Sequence, residues 1–284
     1  MSRIRDTLVE LKRSGRGGFI PFITAGDPDL VTTELLLVEL ATAGADIIEL
    51  GVPFTDPVAD GEVIQRASER ALRRGVTVGD ALRCVSNVKK HIDVPIVLFS
   101  YLNPLLKFGR DRLPEEVQRA GIDAVLITDL TPEEGGPWTT AFRDHAVDPI
   151  FLVAPTTSDE RLRRIAQHAS GFIYAVSRAG VTGARNEMPR DAESLVRRVR
   201  AVSDLPVAVG FGISTAEQVR QVWRFADAAV IGSALVSQIE KLAGSPNLVV
   251  GVGEFTRSLL EARRDLNGQL AQSKNFTDSL RPGT

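Results

Sequence analysis

The chain has 284 residues, with 34 Lys+Arg against 36 Asp+Glu for a formal net charge of −2, 43% hydrophobic and 25% charged residues. This is an ordinary globular composition with charges of both signs interspersed, so neither nucleic acid nor an anionic membrane is an expected partner. The apolar runs are a few residues long against the roughly 20 that span a bilayer, and the one cysteine, Cys84, cannot form an internal disulfide.

Taken in chain order, the basic start Met1-Ser2-Arg3-Ile4-Arg5 has no apolar stretch behind it, so the expected location is the cytoplasm. Ile4, Leu8 and Leu11 at helical spacing predict a short helix ahead of the first strand, covering the floor of a barrel. Eight runs rich in Val, Ile or Phe follow, beginning near Gly18, Asp46, Pro95, Ile122, Pro149, Gly171, Pro206 and Ala228. A strand with one wet face would alternate apolar and polar residues; these runs do not, so they read as strands buried on both faces and paired in parallel. Three of them open on Gly44-Ala45-Asp46, Gly121-Ile122-Asp123 and Ala226-Asp227-Ala228, and three others on an Asp near a Pro (93–95, 147–149 and 204–206), an imperfect internal repeat.

Between the runs lie helical patterns such as Leu162, Ile165 and Ala166 among arginines. Two intervals are long: 46–95 holds an extra loop and two helical stretches, 63–74 and 78–90, and 171–206 holds the loop 176–189. After the eighth run, 234–242 and 248–266 read as two more helices, and the polar, aperiodic tail 267–284 is expected to be disordered. Eight βα units within residues 1–266 predict one α/β domain, a closed (β/α)8 TIM barrel with an extra N-terminal helix and extra helices after strands two and eight. A dinucleotide-binding sheet would carry G-x-G-x-x-G after its first strand, and Gly15, Gly17 and Gly18 fit neither the place nor the spacing. His91, His145 and His168 show no zinc-ligand spacing, so no metal is expected.

Working residues of such a barrel sit at the C-terminal ends of its strands. Glu49 lies in the second run, where an unpaired carboxylate is costly and its pKa would rise towards a range useful for proton transfer; the alternative is a solvated glutamate just clear of the mouth. Asp60 lies in the following loop, held by Pro53, Pro57 and Gly61; Asp-Gly is also a common turn, so a structural role stays open. Gly210-Phe211-Gly212-Ile213-Ser214 and Gly232-Ser233-Ala234 follow strands seven and eight, each opening a helix, the first through a Ser214/Glu217 capping box. Bare glycines and free helix N–H groups there favour a phosphate over two plain turns. The loop Gly180-Val181-Thr182-Gly183-Ala184 has the glycines of a hinge over the mouth.

Four segments carry a resemblance: Phe22-Ile23-Thr24-Ala25-Gly26-Asp27-Pro28, Glu49-Leu50-Gly51-Val52-Pro53-Phe54-Thr55-Asp56-Pro57-Val58-Ala59-Asp60-Gly61, Ser177-Arg178-Ala179-Gly180-Val181-Thr182-Gly183 and Gly210-Phe211-Gly212-Ile213-Ser214. In order and spacing, from about residue 1 to 266, they resemble the tryptophan synthase alpha subunit family. That resemblance implies a cofactor-free retro-aldol cleavage of indole-3-glycerol phosphate to indole and glyceraldehyde 3-phosphate. It also implies a beta subunit as partner in an α2β2 assembly. By position, Glu49 matches the general acid/base and Asp60 the carboxylate that accepts the indole N–H. Phe22, Phe99, Tyr101, Leu126, Leu152 and Phe211 would wall the indole slot, with Tyr174 as a site tyrosine and Thr182 orienting Asp60. Gly183, Gly212, Gly232 and Ser233 match phosphate contacts. Pro53, Phe54, Asp56 and Pro57 would face the partner, with the apolar members exposed.

Three positions depart from the family pattern: Thr55, which keeps a hydroxyl; Glu62, where a proline is usual and whose presence would loosen the next helix; and Thr128, which would make the slot more polar. Competing readings are a stand-alone indole-3-glycerol phosphate lyase releasing free indole, a non-catalytic phosphate-ligand-binding regulatory barrel, and another phosphate-handling enzyme such as an isomerase. The presence of both carboxylates counts against the regulatory barrel. The absence of a His or Lys at a strand tip counts against an isomerase.

Overall fold

The computed structural model describes residues 2–176, 190–210 and 212–263. Its elements are α1 (Arg3–Arg13), β1 (Gly18–Thr24), α2 (Leu30–Ala43), β2 (Ile48–Gly51), α3 (Glu62–Arg73), α4 (Val78–Val88), β3 (Ile96–Ser100), α5 (Leu102–Phe108) and α6 (Leu113–Ala120). Then come β4 (Ala124–Ile127), α7 (Gly136–Asp144), β5 (Asp148–Val153), α8 (Asp159–His168), β6 (Ile173–Val176), α9 (Arg190–Arg200), β7 (Val207–Gly210), α10 (Ala216–Trp223), β8 (Ala228–Ile231), α11 (Ser233–Leu242) and α12 (Leu248–Leu260). The eight strands pair in parallel and in sequence order, and β8 closes on β1, so the fold is a (β/α)8 barrel. Every strand starts within two residues of its predicted start.

Side chains alternate along each strand, so one parity fills the barrel and the other meets the helices. Ile20, Ile47, Val97, Ala124, Leu126, Ile150, Phe172, Ala208 and Ala228 pack inside, and Ile4, Leu8 and Leu11 of α1 close the floor beneath them. Phe19, Ile23, Ile48, Leu50, Ile96 and Leu98 pack outward against the helices.

The internal repeat has a mechanical basis at this floor. Asp46, Asp123 and Asp227 each stand just ahead of a strand and accept the N–H of the strand beside it, from Phe19 (2.8 Å), Ile96 (2.9 Å) and Val207 (2.9 Å). Each carboxylate is also paired with a cation: Asp46 with Arg263, Asp123 with Arg3 and Lys89, Asp227 with Lys12 and Arg200. Arg3 and Lys12 belong to α1, so the floor helix is held by apolar packing and by ion pairs with the repeat.

The interval 95–122 has the length of one ordinary βα unit but holds two helices, α5 and α6, of seven and eight residues. Gly109 at φ +121° breaks the chain between them, a conformation L residues rarely adopt. Of the helix predicted at 248–266, α12 ends at Leu260; residues 264–266 and the tail 267–284 lie outside the described residues. Among the described residues no helix is long and apolar enough to cross a membrane.

Candidate active site

Glu49 projects into the barrel from β2, one inward position beyond Ile47, with its backbone in register with Phe22 of β1 and Val97 of β3. The side chain is fully buried, and neither carboxylate oxygen has a hydrogen-bond partner among the described residues. Burial without compensation disfavours the charged form, and the carboxyl is pushed up to about 8. The solvated reading of Glu49 is therefore wrong: its carboxyl is a protonated acid at neutral pH.

Asp60 sits in the loop 52–61, which carries the chain from β2 to α3. Its N–H donates to the Pro57 carbonyl (3.0 Å) and its carbonyl accepts from the Gln65 amide (2.8 Å), a turn pinned from both sides. The Tyr101 hydroxyl, just past β3, donates to Asp60 Oδ2 (3.2 Å) and accepts from the Ala59 N–H (2.9 Å). Burial pushes Asp60 up to about 6 while the Tyr101 hydrogen bond pulls it down. Turn and site are thus one structure, and the two carboxyls are held apart: at pH 7 Asp60 is mostly ionised and Glu49 mostly not.

Tyr174 of β6 completes the group. Burial raises its hydroxyl well above the ordinary value, with Glu49 and Asp60 adding to the effect, so it stays protonated and able to donate. Its room comes from Gly210, where a Cβ would stand 2.2 Å from the Tyr174 hydroxyl. Gly210, taken in the sequence as part of an anion loop, is thus required by the tyrosine. Gly51 does the same for Phe22, whose ring would lie 2.6 Å from a Cβ there. No motif signals either role, because each depends on a ring from a neighbouring strand.

Phe22 and Phe99 meet edge to face at 5.3 Å. Leu126 lies in the floor of the slot, with Phe99, Leu152 and Tyr174 partly buried above it. Phe54 tilts against Tyr101 at 5.1 Å. Thr128 does not make the slot more polar, since its hydroxyl donates to the Ser100 carbonyl (2.8 Å). Sequence reasoning missed Thr24 at the tip of β1: its hydroxyl is buried, at 2% exposure, without a partner among the described residues. Its only signal was a polar residue at a strand end. Thr182, Gly183 and Phe211 lie outside the described residues.

Gly212 has φ +33° and open space where a Cβ would be. The capping box predicted at Ser214/Glu217 is not formed. Thr215 caps α10 by accepting the Gln218 N–H (3.2 Å), Ser214 donates its N–H to the Gln218 side chain (2.8 Å), and Glu217 pairs with Arg220. Thr215 wins because it stands one residue ahead of the first helical position. Gly232 precedes α11, whose first turn has no side-chain cap, and Ser233 is exposed there. Uncapped N–H groups and the helix dipole suit a dianion.

The loop 52–61 differs from expectation in its apolar surface. Pro53 is buried because the chain continues straight from β2, with Val52 N–H still bonded to the Phe99 carbonyl (2.8 Å). Phe54 and Pro57 are half-buried, Asp56 is exposed, and the apolar group that stands out is Val58, at 87% exposure. Glu62 does not prevent α3 from starting; it is the first residue of that helix, where a carboxylate favours the dipole.

A family model described as tryptophan synthase alpha chain matches residues 8–262. The tryptophan synthase alpha chain of Citrifermentans bemidjiense is 47% identical over 259 residues, 91% of this chain and 97% of the relative. That of Geobacter sulfurreducens is 47% identical over 262 residues, 92% and 99% respectively. The crystal structure of tryptophan synthase subunit alpha from Legionella pneumophila strain Paris is similar at a TM-score of 0.86 and 37% identity, covering 93% of this chain and 99% of that one. A chain of the tryptophan synthase α2β2 complex of the hyperthermophile Pyrococcus furiosus, described for its mutual activation, is similar at 0.81 and 38%, covering 86% and 98%.

Proposed function

Since the chain belongs to the tryptophan synthase alpha chain family, we propose that it is the lyase that cleaves indole-3-glycerol phosphate to indole and glyceraldehyde 3-phosphate, with Glu49 and Asp60 as its catalytic pair. The observation that carries this reading is Glu49 itself: a buried carboxyl with no hydrogen-bond partner among the described residues, pushed up to about 8 on the barrel strand that leads into the loop of Asp60.

The chemistry follows from those charge states. Protonated Glu49 delivers its proton to the indole ring carbon that bears the side chain, and positive charge develops towards the ring nitrogen. Asp60 accepts the ring N–H and offsets that charge, which is absent in the ground state and so lowers the barrier. The side-chain hydroxyl then gives its proton to the Glu49 carboxylate as the carbon–carbon bond breaks. The bonding pair returns to the ring, restoring its aromaticity, and the hydroxyl carbon becomes the aldehyde. Glu49 ends as it began, so no net proton is consumed and the step asks for no cofactor. Phe22, Phe99, Leu126 and Leu152 support the ring, and the starts of the segments at Gly212 and Gly232-Ser233 take the phosphate. Thr182, Gly183 and Phe211 keep the roles that the family resemblance assigns them.

The same reading includes a tryptophan synthase beta subunit as partner in an α2β2 heterotetramer, with indole as the shared intermediate, and a cytoplasmic location. The partner surface is proposed at Phe54, Asp56, Pro57 and the exposed Val58, with buried Pro53 as their support. The test is release of indole from indole-3-glycerol phosphate by the purified chain, with and without beta subunit. Activity that appears and rises with the beta subunit, and is lost in Asp60→Asn, is the expected result. No indole release under either condition would reject the function, and full activity of the chain alone would point to the stand-alone lyase.

A further inference from the structure

Asp27, in the conspicuous segment 22–28, has no part in the chemistry above, yet it is a carboxylate exposed by only 1% at the mouth of the barrel. Its N–H donates to the Thr24 carbonyl (3.2 Å), which ties it to the tip of β1. Arg70 of α3 grips it with two parallel bonds, Nε to Oδ1 at 2.7 Å and Nη2 to Oδ2 at 2.9 Å. The third nitrogen of the same guanidinium, Nη1, reaches Glu240 of α11 at 2.7 Å. Glu240 is held in turn by Arg66, Nε to Oε1 and Nη2 to Oε2, both at 2.8 Å. Arg66 and Arg70 are one helical turn apart, so both face α11 from α3.

The two helices joined this way carry the two ends of the site. α3 starts two residues after Asp60, and α11 starts at the Gly232-Ser233 segment that faces the phosphate. Beneath the ion chain, Phe22, Ala67 and Val236 pack together with Ile64, whose Cδ1 would lie 3.6 Å from a Cβ on Gly232. Small apolar contacts alone allow two helices to slide; a planar fork holding carboxylates from two other segments does not.

We propose that Arg70 is a positioning residue that fixes the spacing between Asp60 and the phosphate-binding start of α11, so that the mouth accepts an indole and a phosphate separated by one particular length of carbon chain. This rests on the reading of the mouth given above. A lysine keeps the charge of Arg70 but cannot fork Asp27 while reaching Glu240, so Arg70→Lys should not rescue.

The experiment uses the full chain in four forms: Arg70→Lys, Arg70→Gln, the doubly neutral Asp27→Asn/Arg70→Gln, which leaves Asp27 without a buried charge, and Arg263→Gln. Arg263 is a comparably buried arginine paired with Asp46 at the opposite end of the barrel, and it serves as a purely structural comparison. In the three Arg70 forms kcat should fall about 10- to 100-fold, as misplacement by about an ångström does, and KM for the linked substrate should rise about tenfold with it. Indole alone and glyceraldehyde 3-phosphate alone should bind within about twofold of wild type, whereas a non-cleavable analogue carrying both groups on one three-carbon chain should bind about tenfold more weakly or worse. Loss of affinity for the separate halves, full activity in Arg70→Lys, or an equal kcat loss in Arg263→Gln would each overturn the proposal. A failure of the underlying site reading shows separately, as an Asp60→Asn enzyme that keeps its turnover, and takes the proposal with it.

Discussion

Replacing Glu49 with glutamine should remove activity and, at alkaline pH, stabilise the protein. Below its ordinary value of 4.5 the carboxyl is protonated in both the folded and the unfolded chain. As pH rises, the unfolded chain releases the proton while the folded one, with Glu49 at about 8, keeps it. Folding therefore has to hold a proton that the solvent favours removing, and stability falls steadily until the folded state ionises too. At ~1.4 kcal/mol per pH unit the full penalty from 4.5 to 8 is about 5 kcal/mol, of which about 3 kcal/mol accrues between pH 6 and 9. Glutamine has nearly the same shape and no proton to lose. The melting temperature of Glu49→Gln should therefore rise relative to wild type across that window by roughly 5–10 °C, at the few degrees per kcal/mol of a chain this size. Calorimetry or thermal circular dichroism at pH 6, 7, 8 and 9 on both proteins measures the difference, and other titrating groups cancel because they are shared. The same variant should lose at least about 100-fold in indole release, the lower range for a missing general acid/base. Parallel melting curves across the four pH values would mean that Glu49 is not a buried neutral acid, and the mechanism built on it would fall.

The remaining expectations use the same geometry. The pH profile of kcat/KM should be bell-shaped, falling below about 6 as Asp60 is protonated and above about 8 as Glu49 ionises; Tyr101→Phe removes the hydrogen bond that lowers Asp60, so its acid limb should move to higher pH, and an unmoved limb would separate Asp60 from that limb. In Gly232→Asp the new Cβ meets only ordinary contacts, with Ile64 at 3.6 Å and Phe22 at 3.8 Å, so the fold should hold. The new carboxylate should nonetheless raise KM for the phosphorylated substrate tenfold or more, and an unchanged KM would move the phosphate elsewhere. Val58→Asp and Asp56→Ala alter exposed side chains of the loop that carries Asp60; each should reduce the rise in turnover on adding beta subunit more than it reduces the basal rate. Equal activation of wild type and both variants would place the partner on another surface.

The barrel was legible in the chain because its cause is local. Strands buried on both faces are apolar along most of their length, eight such runs alternate with helical patterns along the chain, and the α1 residues Ile4, Leu8 and Leu11 advertise one apolar face by spacing alone. Glu49 and Asp60 could be picked out because a carboxylate inside an apolar run, and another in a loop stiffened by prolines, break the local pattern at a strand end. What each carboxyl does was not local. Whether Glu49 is solvated or buried, and so whether it titrates near 4.5 or near 8, depends on what the other strands put around it. Gly210 and Gly51 are bare because rings from adjacent strands occupy their Cβ positions; Pro53 is buried and Val58 exposed because of where β2 ends. Asp27, Arg70 and Glu240 are scattered over more than 200 positions and meet only when β1, α3 and α11 assemble. Periodicity reports which face of an element is apolar, but the charge state of a carboxyl and the partner of a guanidinium are set by contacts between elements, and those exist only in the closed barrel.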